Sequence, residues 1–236
     1  MSNRWSTRVL EHDFLAADVR RLILEKPEQI PNFYAGQYLQ LIVDDQRFPF
    51  SIASAPQTNQ LELHIKPTEG SADSLMVEQY LNEKPTSVDF TYPHGNCYVD
   101  GVPERSVILI AAATGVTQMR SIALWLLAQP EAPTVSLFWG TLTPEELYLS
   151  DELKSLAASN HRFQYCPVVS QGSSAWRGRQ GLVVNAAIED CEDLSSADIY
   201  ISGSPTMVYG TLDRLVEQGV DADRVSADVF DYAPRQ

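Results

Sequence analysis

Two turns rich in small residues are the first candidates for chemistry in this sequence. Ala111–Thr117 (AAATGVT) follows one apolar run, and Ile201–Met207 (ISGSPTM) follows another. Each turn precedes an amphipathic stretch, so each lies where a strand leads into a helix. Small residues there let a ligand approach the backbone, and the N–H groups of the helix N-terminus bind phosphates. The first turn suits a phosphate-bearing ligand, although small residues also occur at such turns for packing. The end of the strand before the second turn could admit a ring, but Ser204 as N-cap with Pro205 as first helical residue is ordinary helix-start chemistry and is the better interpretation of that pattern.

Two further segments combine arginine with aromatic residues. Arg47–Ser51 (RFPFS) fits a flat anionic ligand, or equally a strand whose arginine extends along the surface. Trp176–Gly181 (WRGRQG) places two arginines in an acidic protein, which makes either a local positive site or a solvated loop. The residues alone leave both alternatives open in each segment.

Several common catalytic and metal-binding patterns are missing from the sequence. It contains no G-x-S-x-G elbow and no Walker A sequence. The four histidines have no metal-ligand spacing, and the three cysteines form neither a C-x-x-C pair nor a ferredoxin pattern. We therefore expect no metal site, and we interpret His64, on the alternating run Leu61–Ile65, first as a structural residue.

Composition narrows the class of protein. The chain has 236 residues, of which 44% are hydrophobic, enough for one large core or two small ones. The formal net charge of −14 excludes a nucleic-acid partner and disfavours an anionic membrane surface. The N-terminus has no apolar signal core, and no apolar run is long enough to span a bilayer. We expect a cytoplasmic protein.

The periodicity of the sequence changes near residue 100. Before it, short β-rich runs are separated by turn residues, and one segment, Ser71–Leu81, is helical. This half predicts an antiparallel barrel or sandwich. The predicted strands are Val19–Leu24, Gln37–Val43, Phe50–Ser54, Leu61–Ile65 and Ser87–Phe90.

After residue 100, buried strands alternate with amphipathic helices, which predicts a doubly wound parallel sheet. The predicted strands are Val107–Ala111, Thr134–Trp139, Phe163–Val169 and Ile199–Ser202. The helices are one from Val116 to Leu127, then Glu145–Ala157, Leu182–Ile188 and Thr206–Glu217. The linker is expected at Asp100–Arg105, dividing the chain into residues 1–102 and 103–236.

Taken in order, these motifs resemble the ferredoxin–NADP reductase superfamily, specifically its stand-alone NAD(P)H:flavin oxidoreductases. The likeness covers nearly the whole chain, and the joint order of the motifs is more specific than any one of them. The motifs are AGQYL (35–39), FPFSIAS (48–54), LELHI (61–65), PHG (93–95), AAATG (111–115), WRGRQG (176–181), YISGSPTMV (200–208) and an aromatic C-terminus.

The resemblance implies an N-terminal Greek-key β-barrel that holds a flavin and a C-terminal domain that binds NADH or NADPH. Riboflavin, FMN or FAD would be a substrate or a loosely bound cofactor, with Ser51 as the catalytic residue near flavin N5. The implied flavin-binding residues are Arg47, Phe48, Pro49, Phe50, Ser51, Ile52, His64, Phe230 and Tyr232. The implied nicotinamide-cofactor residues are Thr114, Gly115, Val116, Thr117, Gly203, Ser204, Pro205 and Met207.

Two positions depart from the family pattern. The family usually has arginine where this chain has Phe48, and Arg47 would point to the opposite face of a strand unless a bulge resets the register. The family also commonly has two glycines where this chain has Ala112 and Ala113. The segment Gly140–Glu145 offers no arginine to a 2′-phosphate, which favours NADH.

The reaction implied is hydride transfer from nicotinamide C4 to flavin N5, with Asp228 as a candidate for handling a proton. Reduced flavin would pass to ferric complexes, oxygen, a flavin-dependent monooxygenase or another electron-acceptor protein. Two alternatives stay open: a reductase that retains FAD and serves ferredoxin or flavodoxin, and a partner-dependent electron-transfer or nucleotide-binding subunit.

Overall fold

The N-terminal half forms an antiparallel barrel. The structure, a computed structural model, describes residues 4–172 and 175–235. Its elements are β1 (Arg4–Ala16), β2 (Val19–Glu25), β3 (Tyr38–Val43), β4 (Gln46–Ser51), β5 (Gln60–Ile65), α1 (Ala72–Asn82) and β6 (Ser87–His94). The strand order is β4-β3-β6-β1-β2-β5, and a bridge between Ile52 and Leu63 closes the sheet on itself. The predicted Greek-key barrel is thus confirmed.

Strand β1 is the longest of the elements that the sequence did not predict. It is 13 residues long and lies between β6 and β2, although most of its side chains are at least partly exposed. Its charged residues pair across strands instead of alternating with apolar ones: Arg8 contacts Glu25 at 2.8 Å and Arg4 contacts Asp89 at 2.6 Å. Cross-strand ion pairs therefore replace the hydrophobic alternation by which strands are recognised.

Helix α1 matches the predicted helical segment Ser71–Leu81, and it packs on the barrel. The Ser71 hydroxyl oxygen accepts a hydrogen bond from the Ser74 N–H, and this N-cap starts the helix. Val77 and Leu81 are buried, while the Glu78 carboxylate contacts the guanidinium of the buried Arg20 at 2.9 Å. This ion pair connects α1 to β2.

The C-terminal half is a parallel sheet of six strands in the order β10-β9-β8-β7-β11-β12. It confirms the predicted doubly wound fold. Its elements are β7 (Val107–Ala112), α2 (Val116–Leu127), β8 (Val135–Thr141), α3 (Ser150–Ser159), β9 (Phe163–Val169), β10 (Arg179–Gln180), α4 (Val183–Asp190), β11 (Asp198–Ser202), α5 (Pro205–Glu217), β12 (Val225–Ser226) and α6 (Val229–Tyr232).

The predicted helix Glu145–Ala157 is two elements rather than one. A short 3-10 turn, Pro144–Glu146, begins with a capping box in which the Thr143 and Glu146 side chains bond each other's backbone. Helix α3 starts only at Ser150. The turn places Glu146 beside the end of β8.

Strand β7 marks the point at which the order of strand addition in the parallel sheet reverses. The chain adds β8, β9 and β10 on one side of β7, then crosses over to place β11 on the other. In α/β sheets, ligands bind beyond the carboxyl ends of the strands at such a switch point. Ala111 of β7 lies opposite Ser202 of β11, so both small-residue turns of the sequence meet here.

The connection between the two sheets runs from residue 95 to residue 106 and includes the expected linker, Asp100–Arg105. The division at residue 102 remains a prediction. Among the described residues, no helix is both long and apolar enough to cross a membrane.

Candidate active site

A cavity of about 430 Å³, which we call the junction cavity, lies between the barrel and the parallel sheet. The barrel supplies residues from β3 and β4, and the sheet supplies the end of β11 and the C-terminal segment. The lining residues are Tyr38, Gln40, Pro49, Phe50, Ser51, Gln118, Ile201, Ser202, Gly203, Asp228, Val229 and Tyr232.

Strands β3 and β4 form the wall of the junction cavity on the side of the barrel. β3 and β4 pair in continuous register, with Tyr38 opposite Ser51 and Gln40 opposite Pro49. Side chains two residues apart share a face of a strand, so these four lie on the outer face of the barrel. Leu39 and Leu41 alternate with them and fill the barrel core. No hydrogen bond joins the Ser51 hydroxyl to any described residue, which leaves it available to a ligand.

Arg47 and Phe48 take opposite faces of β4. Because the β3–β4 pairing has no bulge, Phe48 points into the barrel core and is 6% exposed, whereas Arg47 is exposed. Arg47 is on the same face as Ser51 but does not line the junction cavity.

The parallel sheet forms the second wall of the junction cavity, and this wall depends on close backbone packing at the switch point. A Cβ on Gly115 would lie 2.4 Å from the Ser202 carbonyl oxygen, so the start of α2 packs directly on the end of β11. A Cβ on Gly203 would lie 2.8 Å from the sulfur of Met207. Gly115 is therefore restricted to glycine by backbone atoms, whereas a methyl group at Gly203 would require the Met207 side chain to move.

Gln118 and Asp228 fix the base of the junction cavity. Gln118 Nε2 donates to the carbonyl oxygens of Gly36 at 2.8 Å and Cys97 at 3.1 Å, and to Asp228 Oδ2 at 2.8 Å. Asp228 Oδ1 accepts from the backbone N–H groups of Asn96 and Cys97, each at 3.0 Å. Burial raises the pKa of Asp228, while these hydrogen bonds oppose the rise. This network connects α2, the barrel and the C-terminal segment.

A second cavity of about 480 Å³, the strand-end cavity, opens at the carboxyl ends of β7 and β8. Thr114 and Met207 line it together with Ala112 and Ala113. Ala113 has a φ of +48°, in the left-handed region that favours glycine. Lys66 also lines this cavity, and its ammonium contacts Asp18 and Glu146 at 3.1 Å each.

The structure gathers some of the predicted site residues and separates others from the cavities. Pro49, Phe50, Ser51, Gly203 and Tyr232 line the junction cavity, and Thr114 and Met207 line the strand-end cavity. Phe48 lines a smaller neighbouring cavity. The residues that line none of these three cavities are Arg47, Ile52, His64, Gly115, Val116, Thr117, Ser204, Pro205 and Phe230.

Packing explains most of these exclusions. Ile52 and Val116 are fully buried in the two cores, and Thr117 donates its hydroxyl to the Thr114 carbonyl oxygen. Ser204 caps α5, whose first residue is Pro205, and Phe230 packs against Tyr209 with ring centroids 5.7 Å apart.

His64 belongs to a buried network between the barrel and the sheet rather than to a ligand site. Its side chain is fully buried, with Nε2 at 2.9 Å from Glu62 and Nδ1 at 3.2 Å from the Tyr148 hydroxyl. Arg120 Nη1 contacts the second Glu62 oxygen at 3.1 Å and donates to the Ala53 carbonyl oxygen at 2.7 Å. Burial lowers the pKa of His64. We therefore omit His64 from the proposed flavin contacts.

The sequence also contained signals for residues that were not predicted. Tyr38 and Gln40 alternate with leucines, the pattern of a strand with one outward face. Gln118 carried no such signal, because its burial, which requires hydrogen-bond partners, is known only from the structure. The alternation at Tyr38 and Gln40 does not indicate which element their outward face meets.

The fold and the two cavities define a protein in which an antiparallel β-barrel meets the switch point of a doubly wound parallel sheet. Residues 4–119 match the FAD-binding domain family, and residues 109–213 match the oxidoreductase NAD-binding domain family. The chain is 32% identical over 225 residues to the NAD(P)H-flavin reductase of Vibrio harveyi, covering 92% of this chain and 94% of that protein. It is 32% identical over 213 residues to the probable flavin reductase of Photobacterium leiognathi, covering 88% and 90%.

Among solved structures, the fold is similar to the FAD/NAD-binding domain of a nitric oxide dioxygenase from Vibrio cholerae. The TM-score is 0.82 at 22% identity, covering 96% of this chain and 98% of that one. The chain belongs to the NAD(P)H-flavin reductases of the ferredoxin–NADP reductase superfamily.

Proposed function

We propose that the protein is an NAD(P)H-dependent flavin reductase whose reaction takes place in the junction cavity. One observation carries the proposal: Ser51 of the barrel and Gly203 of the nucleotide-binding sheet line the same cavity. A flavin held by the barrel and a nicotinamide held at the end of β11 would therefore meet. Hydride transfer requires this kind of juxtaposition.

The barrel wall fits an isoalloxazine ring. Tyr38 and Phe50 supply aromatic surface, Pro49 supplies a flat apolar one, and the Ser51 hydroxyl has no protein partner among the described residues. A bound flavin supplies the hydride acceptor, its N5 atom. We assign Ser51 to donate or accept a hydrogen bond at that edge of the ring, which would fix the ring's orientation.

The dinucleotide would enter from the strand-end cavity and place its nicotinamide at Gly203. Thr114 and Met207 line the strand-end cavity, and Met207 also lies beside Gly203 of the junction cavity, because a Cβ on Gly203 would lie 2.8 Å from the Met207 sulfur. Among the described residues that line the strand-end cavity, Lys66 is the one cation, and two carboxylates already pair with it. A 2′-phosphate would meet no unpaired cation among these lining residues, which supports NADH over NADPH.

Asp228 has the role of an anchor in this proposal. Its carboxylate accepts three hydrogen bonds from groups that join the barrel, α2 and the C-terminal segment. It keeps Tyr232 and Val229 at the cavity rather than supplying a proton.

The function is tested by oxidation of NADH and NADPH with and without added riboflavin, FMN and FAD, followed by nicotinamide absorbance. We expect activity that depends on free flavin and is higher with NADH. Activity without added flavin would indicate a retained flavin, and no activity in any mixture would contradict the proposal.

Ser51→Ala tests the assigned site. We expect kcat to fall by roughly tenfold, the effect of one lost transition-state hydrogen bond. Ser155→Ala is the matched control, because the Ser155 hydroxyl on α3 donates only to the Asp151 carbonyl oxygen. Unchanged turnover in Ser51→Ala would remove Ser51 from the reaction.

Two further proposals concern the acceptor of reduced flavin and the compartment in which the protein works. Reduced flavin released from the cavity would serve a flavin-dependent monooxygenase, a ferric complex or another acceptor, which a coupled assay with the acceptor would detect. All three cysteines are free thiols, which supports a reducing compartment such as the cytoplasm.

A further inference from the structure

We propose that Gln40 binds the flavin ring in the junction cavity: its amide N–H donates to an acceptor atom of the isoalloxazine, and Thr91 and His94 hold the amide in that orientation. The inference rests on the proposed function, because it adds a residue to the same site. It follows from the hydrogen bonds that join Gln40, Thr91 and His94, which we call the Gln40 network.

A bulge in β6 brings the Gln40 network together. Tyr38 of β3 lies opposite His94 and Gln40 lies opposite Thr91, so β6 has one more residue than β3 between the two pairs. In a regular strand, residues at the spacing of Thr91 and His94 would point to opposite faces. The bulge instead places both on one face, where Thr91 Oγ1 lies 2.8 Å from His94 Nε2. The His94 ring also stacks on Tyr38, with ring centroids 5.5 Å apart.

The network determines which end of the Gln40 amide faces the junction cavity. Thr91 is fully buried, and its hydroxyl donates to Gln40 Oε1 at 3.1 Å. A hydroxyl has a single hydrogen, so His94 Nε2 donates to Thr91 Oγ1 in turn. Gln40 lines the cavity, its Oε1 is occupied by Thr91, and its Nε2 has no partner among the described residues. The network therefore presents an N–H donor to a ligand.

This donor complements one side of an isoalloxazine ring. The hydrogen-bond acceptors of the ring are its carbonyl oxygens and its nitrogens, and the dimethylbenzene end has none. A ring bound the other way round would set methyl groups against the amide N–H, which would lose its hydrogen bond to water without a replacement. Ser51 is the diagonal neighbour of Gln40 across β3 and β4, about 7–8 Å away. Two polar contacts at this separation fix the orientation of a flat ring in its own plane.

The experiment uses lumiflavin, which has the same ring but a methyl group in place of the ribityl chain, so that only ring contacts are measured. Gln40→Met keeps the length of the side chain and removes the amide. We expect the Kd from a flavin-fluorescence titration without nicotinamide to rise about fivefold, the effect of one hydrogen bond. With NADH, KM for lumiflavin should rise by a similar factor, and KM for NADH should stay at the wild-type value.

Gln46→Met is the matched control. It makes the same change at the exposed first residue of β4, which does not line the junction cavity, and should leave the Kd of lumiflavin unchanged. Equal Kd values for lumiflavin in Gln40→Met and Gln46→Met would overturn the inference.

Gln40→Glu tests the direction of the hydrogen bond. Thr91 can donate to one carboxylate oxygen, but the second oxygen is an acceptor only and has no hydrogen for the ring. We expect the Kd of lumiflavin to rise by more than in Gln40→Met. Binding by Gln40→Glu that is as tight as wild type, or tighter, would show that the cavity end of this side chain accepts, and it would overturn the inference.

Thr91→Val tests whether Thr91 acts through Gln40. It removes the hydroxyl that fixes the amide, so the Kd of lumiflavin should rise about twofold, whereas Thr91→Ser, which keeps the hydroxyl, should bind as wild type does. Adding Thr91→Val to Gln40→Met should cause no further rise, because the amide that Thr91 orients is already gone. Additive effects in the double variant would contradict the positioning role of Thr91.

The two proposals can fail separately. If no flavin is reduced with either nucleotide, the proposed function fails, and the Kd values for lumiflavin alone decide the inference. If flavin is reduced and Gln40→Met binds lumiflavin as wild type does, the function stands and the inference fails.

Discussion

Removing the Glu62 carboxylate should destabilise the junction between the two halves of the protein. Its two oxygens face His64 Nε2 at 2.9 Å and Arg120 Nη1 at 3.1 Å, and its side chain is 14% exposed. Burial alone would raise the pKa of Glu62. The hydrogen bond from His64 and the charge of Arg120 outweigh burial and lower the pKa from 4.5 to about 2.

This pKa shift sets the size and the pH dependence of the effect. A carboxyl whose pKa is depressed on folding stabilises the protein above the unfolded pKa, here 4.5, and loses that contribution as pH falls through about 2. The shift corresponds to roughly 3 kcal/mol at pH 7, falling to roughly 1.5 kcal/mol at pH 3. Glu62→Gln also leaves the largely buried Arg120 with Glu152 as its one carboxylate partner among the described residues, which acts in the same direction.

Urea unfolding at pH 7 and pH 3 measures the effect. We expect the free energy of unfolding of Glu62→Gln to lie about 3 kcal/mol below wild type at pH 7, with a smaller difference at pH 3. Glu25→Gln is the control, since it removes an exposed carboxylate paired with Arg8 and should change little. A Glu62→Gln variant that behaves like this control, or a difference that does not shrink at pH 3, would refute the reasoning.

Three other substitutions test the geometry of the switch point and the cavity base. Gly115→Ala should destabilise the protein by about 2 kcal/mol and raise KM for NADH, because the new methyl group meets backbone atoms of Ser202. Gly210→Ala is the control: this position lies in open space on α5, so the substitution should raise Tm slightly. Ala113→Gly should be neutral or stabilising by up to about 1 kcal/mol in thermal unfolding, because it relieves a positive φ; a clear loss of Tm would contradict that explanation. Gln118→Leu should lower the free energy of unfolding by about 2–4 kcal/mol, because it leaves buried acceptors unpaired. Gln129→Leu is the control, since it removes only a partly buried hydrogen bond to the Trp125 carbonyl oxygen. Equal unfolding midpoints for the two variants would count against the network.

The sequence by itself determined the elements whose signal is local. The alternation of Leu61–Ile65 and the apolar run Val107–Ala111 predicted strands, and the structure contains both. Small residues at Ala111–Thr117 and Ile201–Met207 marked the strand-to-helix turns. Such signals survive in the sequence because strand and helix periods are properties of the local backbone.

Only the tertiary structure decided which of these segments are neighbours. The placement of β11 beside β7 brings Ser202 to Gly115, although the two residues are far apart in the chain. Strand β1 depends on ion pairs with other strands, so its own residues carry little periodic signal. Neighbour relations follow from the joint burial of many side chains, which no single segment encodes.

The same distinction applies to the candidate site. Ser51 was identified by its motif, but its cavity also contains Tyr38, Gln118 and Asp228, which come from three separate parts of the chain. His64 was implied by its motif and lies instead in a buried network with Tyr148. Residue types in order were enough to indicate a flavin and a dinucleotide. The walls of the cavity required the packing of the barrel against the sheet, because a cavity is defined by surfaces that only folding brings together.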